Sequence, residues 1–133
     1  MLDNQLALLA DAGADVVGLN CIRGPRTMLP MIARIVRAVK VPVAALPVPY
    51  RTHSRQPTFQ SLRDRHCHCI PGDMPFPVAL DPFTCNRFEI AEFARQAVAL
   101  GVRYIGLCCG AMPHHIRSIA EALGRKPPAS RYS

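Results

Sequence analysis

The apolar positions change their spacing several times along the chain, and each change predicts an element. From Leu2 to Ala12, the residues Leu6, Leu8, Leu9 and Ala12 are compatible with a short helix, and Gly13 supplies a stop. Asp15 to Asn20 is a short apolar run instead, with Val16, Val17 and Leu19, and reads as a strand buried on both faces in the manner of parallel sheets. Thr27 precedes a helix to about Val39, in which Met28, Ile32, Ile35, Val36 and Val39 keep the helical period and Pro30 falls in the tolerant first turn. A second buried strand follows at Val41 to Leu46. Between Pro47 and Cys85 no period is sustained, and the stretch is rich in Pro, Arg, His and Ser. It is too long for an ordinary connection and is expected to be a functional loop. Asn86 with Glu89 three positions on predicts a capped helix carrying Ile90, Phe93, Ala94, Ala97 and Leu100, which Gly101 ends. Val102 to Leu107 is the third strand. Pro113 opens a last helix with Ile116, Ile119, Ala120 and Leu123 as its apolar stripe, and Gly124 closes it.

This order is that of repeated βα units, which implies an α/β fold of parallel strands joined by right-handed crossovers. Three strands are too few for a complete sheet, and 133 residues are too few for an eight-stranded barrel, which takes about 250. Residues 1–124 are expected to form the folded part, and residues 125–133, with Pro127-Pro128, an arm or linker.

Composition narrows the function classes. Half of the residues are hydrophobic and 19% are charged, so a buried core is expected. The net charge of +7 is spread along the chain and there is no Trp, which argues against a nucleic-acid surface. No apolar run reaches the ~20 residues of a membrane span, and the Met1 to Asn4 start lacks the positive charge of a secretory leader, so a cytoplasmic protein is expected. In that compartment the six cysteines read as ligands or free thiols rather than disulfides.

Their positions carry the chemistry. Cys21 directly follows the first strand and Cys108-Cys109 the third, and in a parallel sheet both ends lie on the carboxyl face, where α/β proteins place their sites. Thiolate-bound zinc needs Zn–S distances of about 2.3 Å, hence sulfurs within roughly 4 Å of one another. Neighbouring strand residues point to opposite faces, so Cys108 and Cys109 can converge only where the chain leaves strand geometry, a freedom that Gly110 supplies. On spacing alone, small core cysteines are the simpler reading, because a bare Cys plus Cys-Cys is not a strong signature. His66-Cys67-His68-Cys69 offers four more donors, but neighbours so close cannot all reach one tetrahedral ion, and a polar loop is the simpler reading. Cys85 reads as a free thiol near a helix start, and the Arg51, Arg55, Arg63 and Arg65 run as a solvated loop face. His114 and His115 fall in the first turn of the last helix, where they either cover its end or donate to groups around a metal. Tyr50, on the carboxyl face after the second strand, either packs or lines a pocket, where its ring could hold a quaternary ammonium.

Gly18-Leu19-Asn20-Cys21 and Gly106-Leu107-Cys108-Cys109-Gly110, followed by Pro113-His114-His115-Ile116, resemble the two zinc-binding motifs of the homocysteine S-methyltransferase family. The resemblance runs on through Asp81-Pro82, Gly101-Val102-Arg103-Tyr104-Ile105-Gly106 and Ile116 to Glu121, and the Pro127-Pro128-Ala129-Ser130 tail is most similar to the betaine-using members. It implies the C-terminal portion, about strands 6 to 8, of a TIM (β/α)8 barrel, with zinc held by Cys21, Cys108 and Cys109; Asn20, Tyr50, Gly110 and His114 are candidates by position for the surrounding shell or pocket. It also implies homocysteine and a methyl donor, betaine before S-methylmethionine, as partners. Leu107 departs from the family by standing where a second Gly is common. The residues that grip homocysteine belong to the first five strands, so a complementing N-terminal half-barrel or a homo-oligomer is expected, and this portion alone is expected to be inactive. A small thiol-rich zinc-binding or redox protein is the competing class, and it would have no need of Cys21.

Overall fold

A computed structural model describes residues 1–66 and 71–132. Four helices and three short strands follow the expected order: α1 (Leu2–Asp11), β1 (Val17–Asn20), α2 (Pro25–Ala38), β2 (Val43–Leu46), α3 (Arg87–Ala99), β3 (Tyr104–Ile105) and α4 (Pro113–Ala122). Short 3-10 turns punctuate the long connection at Phe59–Ser61, Pro71–Asp73 and Asp81–Phe83, and another forms in the tail at Pro128–Tyr132.

The strands form one parallel sheet in the order β1-β2-β3. Gly18, Ala44 and Tyr104 share one row across it, and Leu19, Ala45 and Ile105 the next. Alternation therefore sends Val17, Leu19, Val43, Ala45 and Ile105 to one face, where they join the helices in a core built on Met28, Ile32, Ile35, Ile90, Phe93 and Ala97. The helices pack side by side in chain order, α1 on α2, α2 on α3 and α3 on α4.

The opposite face carries Gly18, Asn20, Ala44, Leu46 and Tyr104, none of them fully buried. Strands buried on both faces were expected; helices cover one face only, because every crossover returns on the same side. A side chain at Gly18 would collide with the main chain of Ala44, so the close approach of β1 and β2 needs that glycine.

Two helices differ from expectation. α2 begins at Pro25 behind the N-cap Gly24, two residues before Thr27, because Pro at the first helical position is pre-set for the turn. Thr27 instead bonds across the loop: its hydroxyl lies 2.6 Å from that of Thr52 and donates to Pro57 O at 3.0 Å. On α4 the stripe is rotated. His115, Ser118 and Ile119 are buried, while Ile116 is 47% and Leu123 36% exposed, because α4 packs chiefly on α3, with the short Pro128–Tyr132 turn as a lesser neighbour. The cap of α3 forms as expected, with Asn86 accepting from Phe88 N–H and Glu89 N–H while Glu89 accepts from Asn86 N–H at 2.7 Å. No helix among the described residues is long and apolar enough to cross a membrane.

Candidate metal centre

Middle-strand carbonyls position the thiols. Leu46 O accepts from Cys21 N–H at 2.8 Å on one side, and Pro47 O accepts from Cys108 N–H at 2.9 Å on the other. Two consecutive carbonyls thus hold the two thiol-bearing segments, because successive peptides of a strand face opposite neighbours. Beyond these anchors both segments leave strand geometry. Cys21 and Ile22 turn through positive φ angles of 69° and 68°, a rare conformation and a strained one for β-branched Ile22. After Cys108 the chain turns at Cys109–Gly110, with Gly110 at φ 87° and Ala111 N–H donating to Cys108 O at 3.0 Å.

These turns bring three sulfurs together. Cys21 Sγ lies 3.5 Å from Cys109 Sγ, Cys108 Sγ lies 3.8 Å from Cys109 Sγ, and all three fall within 4.8 Å of one another. Three thiolates on a tetrahedral zinc with bonds of about 2.3 Å stand about 3.8 Å apart, so the donor set fits in number, type and spacing. Burial pushes the Cys21 thiol up, but contacts with Cys108, Ile22 N–H and Cys109 outweigh it and leave Cys21 below the usual thiol range. Cys108 is pushed up to about 11 by burial and by the neighbouring Cys21. The cluster therefore gives up a first proton more readily than a free thiol and a second less readily.

The other candidates fall at different distances from this centre. Asn20 is exposed at the end of β1, just before Cys21. Tyr50 packs on Phe59 and against Gly110, and burial raises its phenol above the ordinary range. His114 is exposed and lies over the ring of His115, with centroids 4.1 Å apart. Cys85 is buried and pushed up to about 12 by burial and by Glu89, which makes it an inert thiol. Of the His66 to Cys69 cluster, Cys67, His68 and Cys69 lie outside the described residues. Arg51 is exposed, as a solvated face requires, and its guanidinium also makes paired bonds of 2.8 and 2.6 Å to the two carboxylate oxygens of Glu89, tying the long connection to the start of α3.

His115 is the residue whose part the sequence left undivided from that of His114. It is wholly buried; Nδ1 accepts from Met112 N–H at 3.1 Å, which leaves the proton on Nε2 for Cys85 O at 3.1 Å. Burial holds its pKa below the usual histidine range, with His114 adding to that and Cys85 O opposing it. A neutral His115 thus fastens α4, directly after the Cys109–Gly110 turn, to the segment ahead of α3.

The fold and the site together define a parallel βα layer with a three-thiol centre on its carboxyl face. Residues 2–123 match the sequence model of the homocysteine S-methyltransferase family, and the chain belongs to that family. Over 127 residues it is 40% identical to betaine–homocysteine S-methyltransferase 1 of Danio rerio, a match covering 92% of this chain and 30% of the relative. Over 132 residues it is 41% identical to S-methylmethionine–homocysteine S-methyltransferase BHMT2 of Mus musculus, covering 92% and 33%. The chain therefore spans about a third of the length of these curated relatives.

Proposed function

We infer that the chain supplies the metal-binding sector of a zinc-dependent homocysteine S-methyltransferase that transfers a methyl group from betaine to homocysteine, giving methionine and dimethylglycine. The observation that carries this reading is the convergence of Cys21, Cys108 and Cys109 at the carboxyl ends of parallel strands in a chain of this family. On this reading residues 1–124 are about the sixth to eighth βα units of a TIM (β/α)8 barrel, and residues 125–133 are a C-terminal arm, which Arg117 holds against α4 by donating to Ala129 O at 3.2 Å. The bare face of the sheet supports that placement, since Gly18, Ala44, Leu46 and Tyr104 would face a barrel interior.

Cys21, Cys108 and Cys109 would hold the zinc, which would supply a Lewis acid able to lower the pKa of the homocysteine thiol. The protein's part is to hold the three donors in place through Leu46 O, Pro47 O and the Cys109–Gly110 turn, so that the sulfur is presented from one direction. In the overall transfer an S–C bond forms and an N–C bond breaks, the electron pair stays on the donor nitrogen, and the thiol proton is released. A cavity of about 590 Å³ lies between α2 and α3, bordered by Leu29, Tyr50, Cys85, Phe88 and Phe93, but none of the three candidate ligands borders it. The amino acid end of homocysteine is therefore assigned to a complementing N-terminal half-barrel, or to a second copy, in a cytoplasmic assembly. S-methylmethionine is the alternative donor, which the name of the second relative favours for that relative.

Two measurements test the reading. Metal content of Cys21→Ser, Cys108→Ser and Cys109→Ser should fall while Cys67→Ser keeps its zinc; equal loss from Cys67→Ser and Cys21→Ser contradicts the ligand set. Labelled methyl transfer by the chain combined with an N-terminal half should proceed with betaine, and turnover with S-methylmethionine alone overturns the donor.

A further inference from the structure

Tyr50 stands between the thiol centre and an aromatic stack in the long connection. Its ring lies within 10° of parallel to that of Phe59, with centroids 6.0 Å apart, and Phe59 meets Phe76 edge-on at 5.0 Å. This stack belongs to a second apolar cluster, formed by Val48, Phe59, Leu62 and Leu80, against which Cys21 and Cys108 also pack. At its phenol end Tyr50 fills the space beside Gly110. A Cβ there would overlap the Tyr50 hydroxyl and stand 2.6 Å from Cζ and 2.9 Å from Cε2.

The main chain around Tyr50 is held independently of that contact. Tyr50 bridges Thr84, Arg51 N–H donates to Phe83 O at 2.8 Å, and Cys85 N–H donates to Pro49 O at 2.8 Å. The ring is thus fixed from behind, while the turn it touches follows the end of the short strand β3 and pivots on a glycine. A glycine left to itself visits many conformations, and two neighbouring thiols converge in few of them.

We propose that Tyr50 is a positioning residue of the metal centre: its ring backs the Cys109–Gly110 turn and so sets the direction in which the Cys108 and Cys109 thiols point. This rests on the reading that Cys21, Cys108 and Cys109 hold zinc. The phenol oxygen is the atom nearest the turn, with Cζ and Cε2 behind it, so the hydroxyl and the ring edge act together. Groups that orient ligands are worth 10–100-fold in metal affinity.

The test uses the 133-residue chain and reads zinc affinity by competition with a chromophoric chelator, together with the near-ultraviolet thiolate-to-metal band of the Co²⁺ form. Tyr50→Phe, which removes only the nearest atom, should lose part of the affinity and keep most of the band. Tyr50→Ala should bind zinc about tenfold or more weakly and show a weaker band, with its cooperative unfolding retained. Gly110→Ala should cost more affinity beside Tyr50 than beside Ala at that position, because the ring is what the new methyl meets. If Tyr50→Ala does not fold, Tyr50→Leu keeps the cluster apolar while vacating the phenol end, and the same criterion applies. Unchanged affinity and band in the Ala or Leu variant overturn the proposal. Absence of any thiolate band in the parent chain removes the zinc reading, and the proposal with it.

Discussion

The centre and the flanks of this layer are built from similar residues to opposite effect. Around β2, the side chains of Ile32, Ile35, Phe93, Ile90 and Met28 are at most 2% exposed. On the outer flanks, Leu8 is 68%, Leu9 54%, Val16 47%, Tyr104 61% and Ile116 47% exposed. Both groups are apolar or aromatic, so the difference lies in their neighbours: the centre has helices on either side, and among the described residues no further strand pairs with the β1 or β3 edge at the flanks. Such edges recruit other chains, in solution or in an assembly. The layer is stable where it is closed by itself and adhesive where it is not.

The largest effect is expected at the centre. Ile32→Ala should lower unfolding stability by about 3 kcal/mol, since Ile32 is wholly buried and its neighbours cannot collapse into the gap. Denaturant titration would show this as a shifted midpoint, and a loss under about 1 kcal/mol would mean the centre is not a packed core.

His115 sharpens the contrast, because it sits on the flanking helix α4 yet points inward. His115→Ala should cost about 2 kcal/mol by leaving Met112 N–H and Cys85 O unpaired. Its folded pKa lies below the unfolded value, so the fold favours the neutral ring. That stability is fully present above the unfolded value of about 6.5 and is lost as pH falls from there toward the lowered folded value. Unfolding curves across this window should lose their pH slope in His115→Gln.

At the junction between centre and site, Ile22→Asn should raise the stability of the metal-free chain by about 1 kcal/mol, since Asn tolerates the left-handed conformation better than a β-branched residue does. Thermal unfolding checks it, and a fall in midpoint would show that Ile22 is held by contacts rather than strained.

The smallest effect belongs to the flanks. Leu8→Ala and Ile116→Ala should change stability by about 0.5 kcal/mol or less in the isolated chain. The same substitutions should weaken co-purification with an N-terminal half-barrel. Strong destabilisation of the isolated chain would show that these flanks are already covered, by a second copy for instance.

The sequence disclosed what local chemistry decides. The Asn86–Glu89 cap and the glycine stops at Gly13 and Gly101 could be read from a few residues, and the structure has them. The convergence of strand ends was legible from topology, because Cys21 and Cys108-Cys109 follow parallel strands with one strand between them. The rest depends on partners distant in the chain. His115 and His114 are indistinguishable in sequence, and what separates them is a carbonyl 30 positions away on Cys85. The α4 stripe was misjudged by one position because Ile116 is apolar and His115 is not, although burial follows the hydrogen bonds that His115 can make. The single-sided sheet was hidden because a strand facing helices on one side and an interior on the other looks apolar throughout.

The paired carbonyls of Leu46 and Pro47 make the site sensitive to a kind of change that side-chain arguments overlook. Along β2, Pro42 O and Leu46 O serve β1, through Val17 N–H and Cys21 N–H, while Val43 O, Ala45 O and Pro47 O serve β3, through Arg103 N–H, Gly106 N–H and Cys108 N–H. Deleting one residue from this strand would exchange the two sets and aim every carbonyl at the wrong neighbour. The three cysteines would survive such a deletion untouched, yet their sulfurs would no longer meet. Lineages carrying this centre should therefore tolerate insertions and deletions in the long connection after Pro49 far more readily than in the few residues before it.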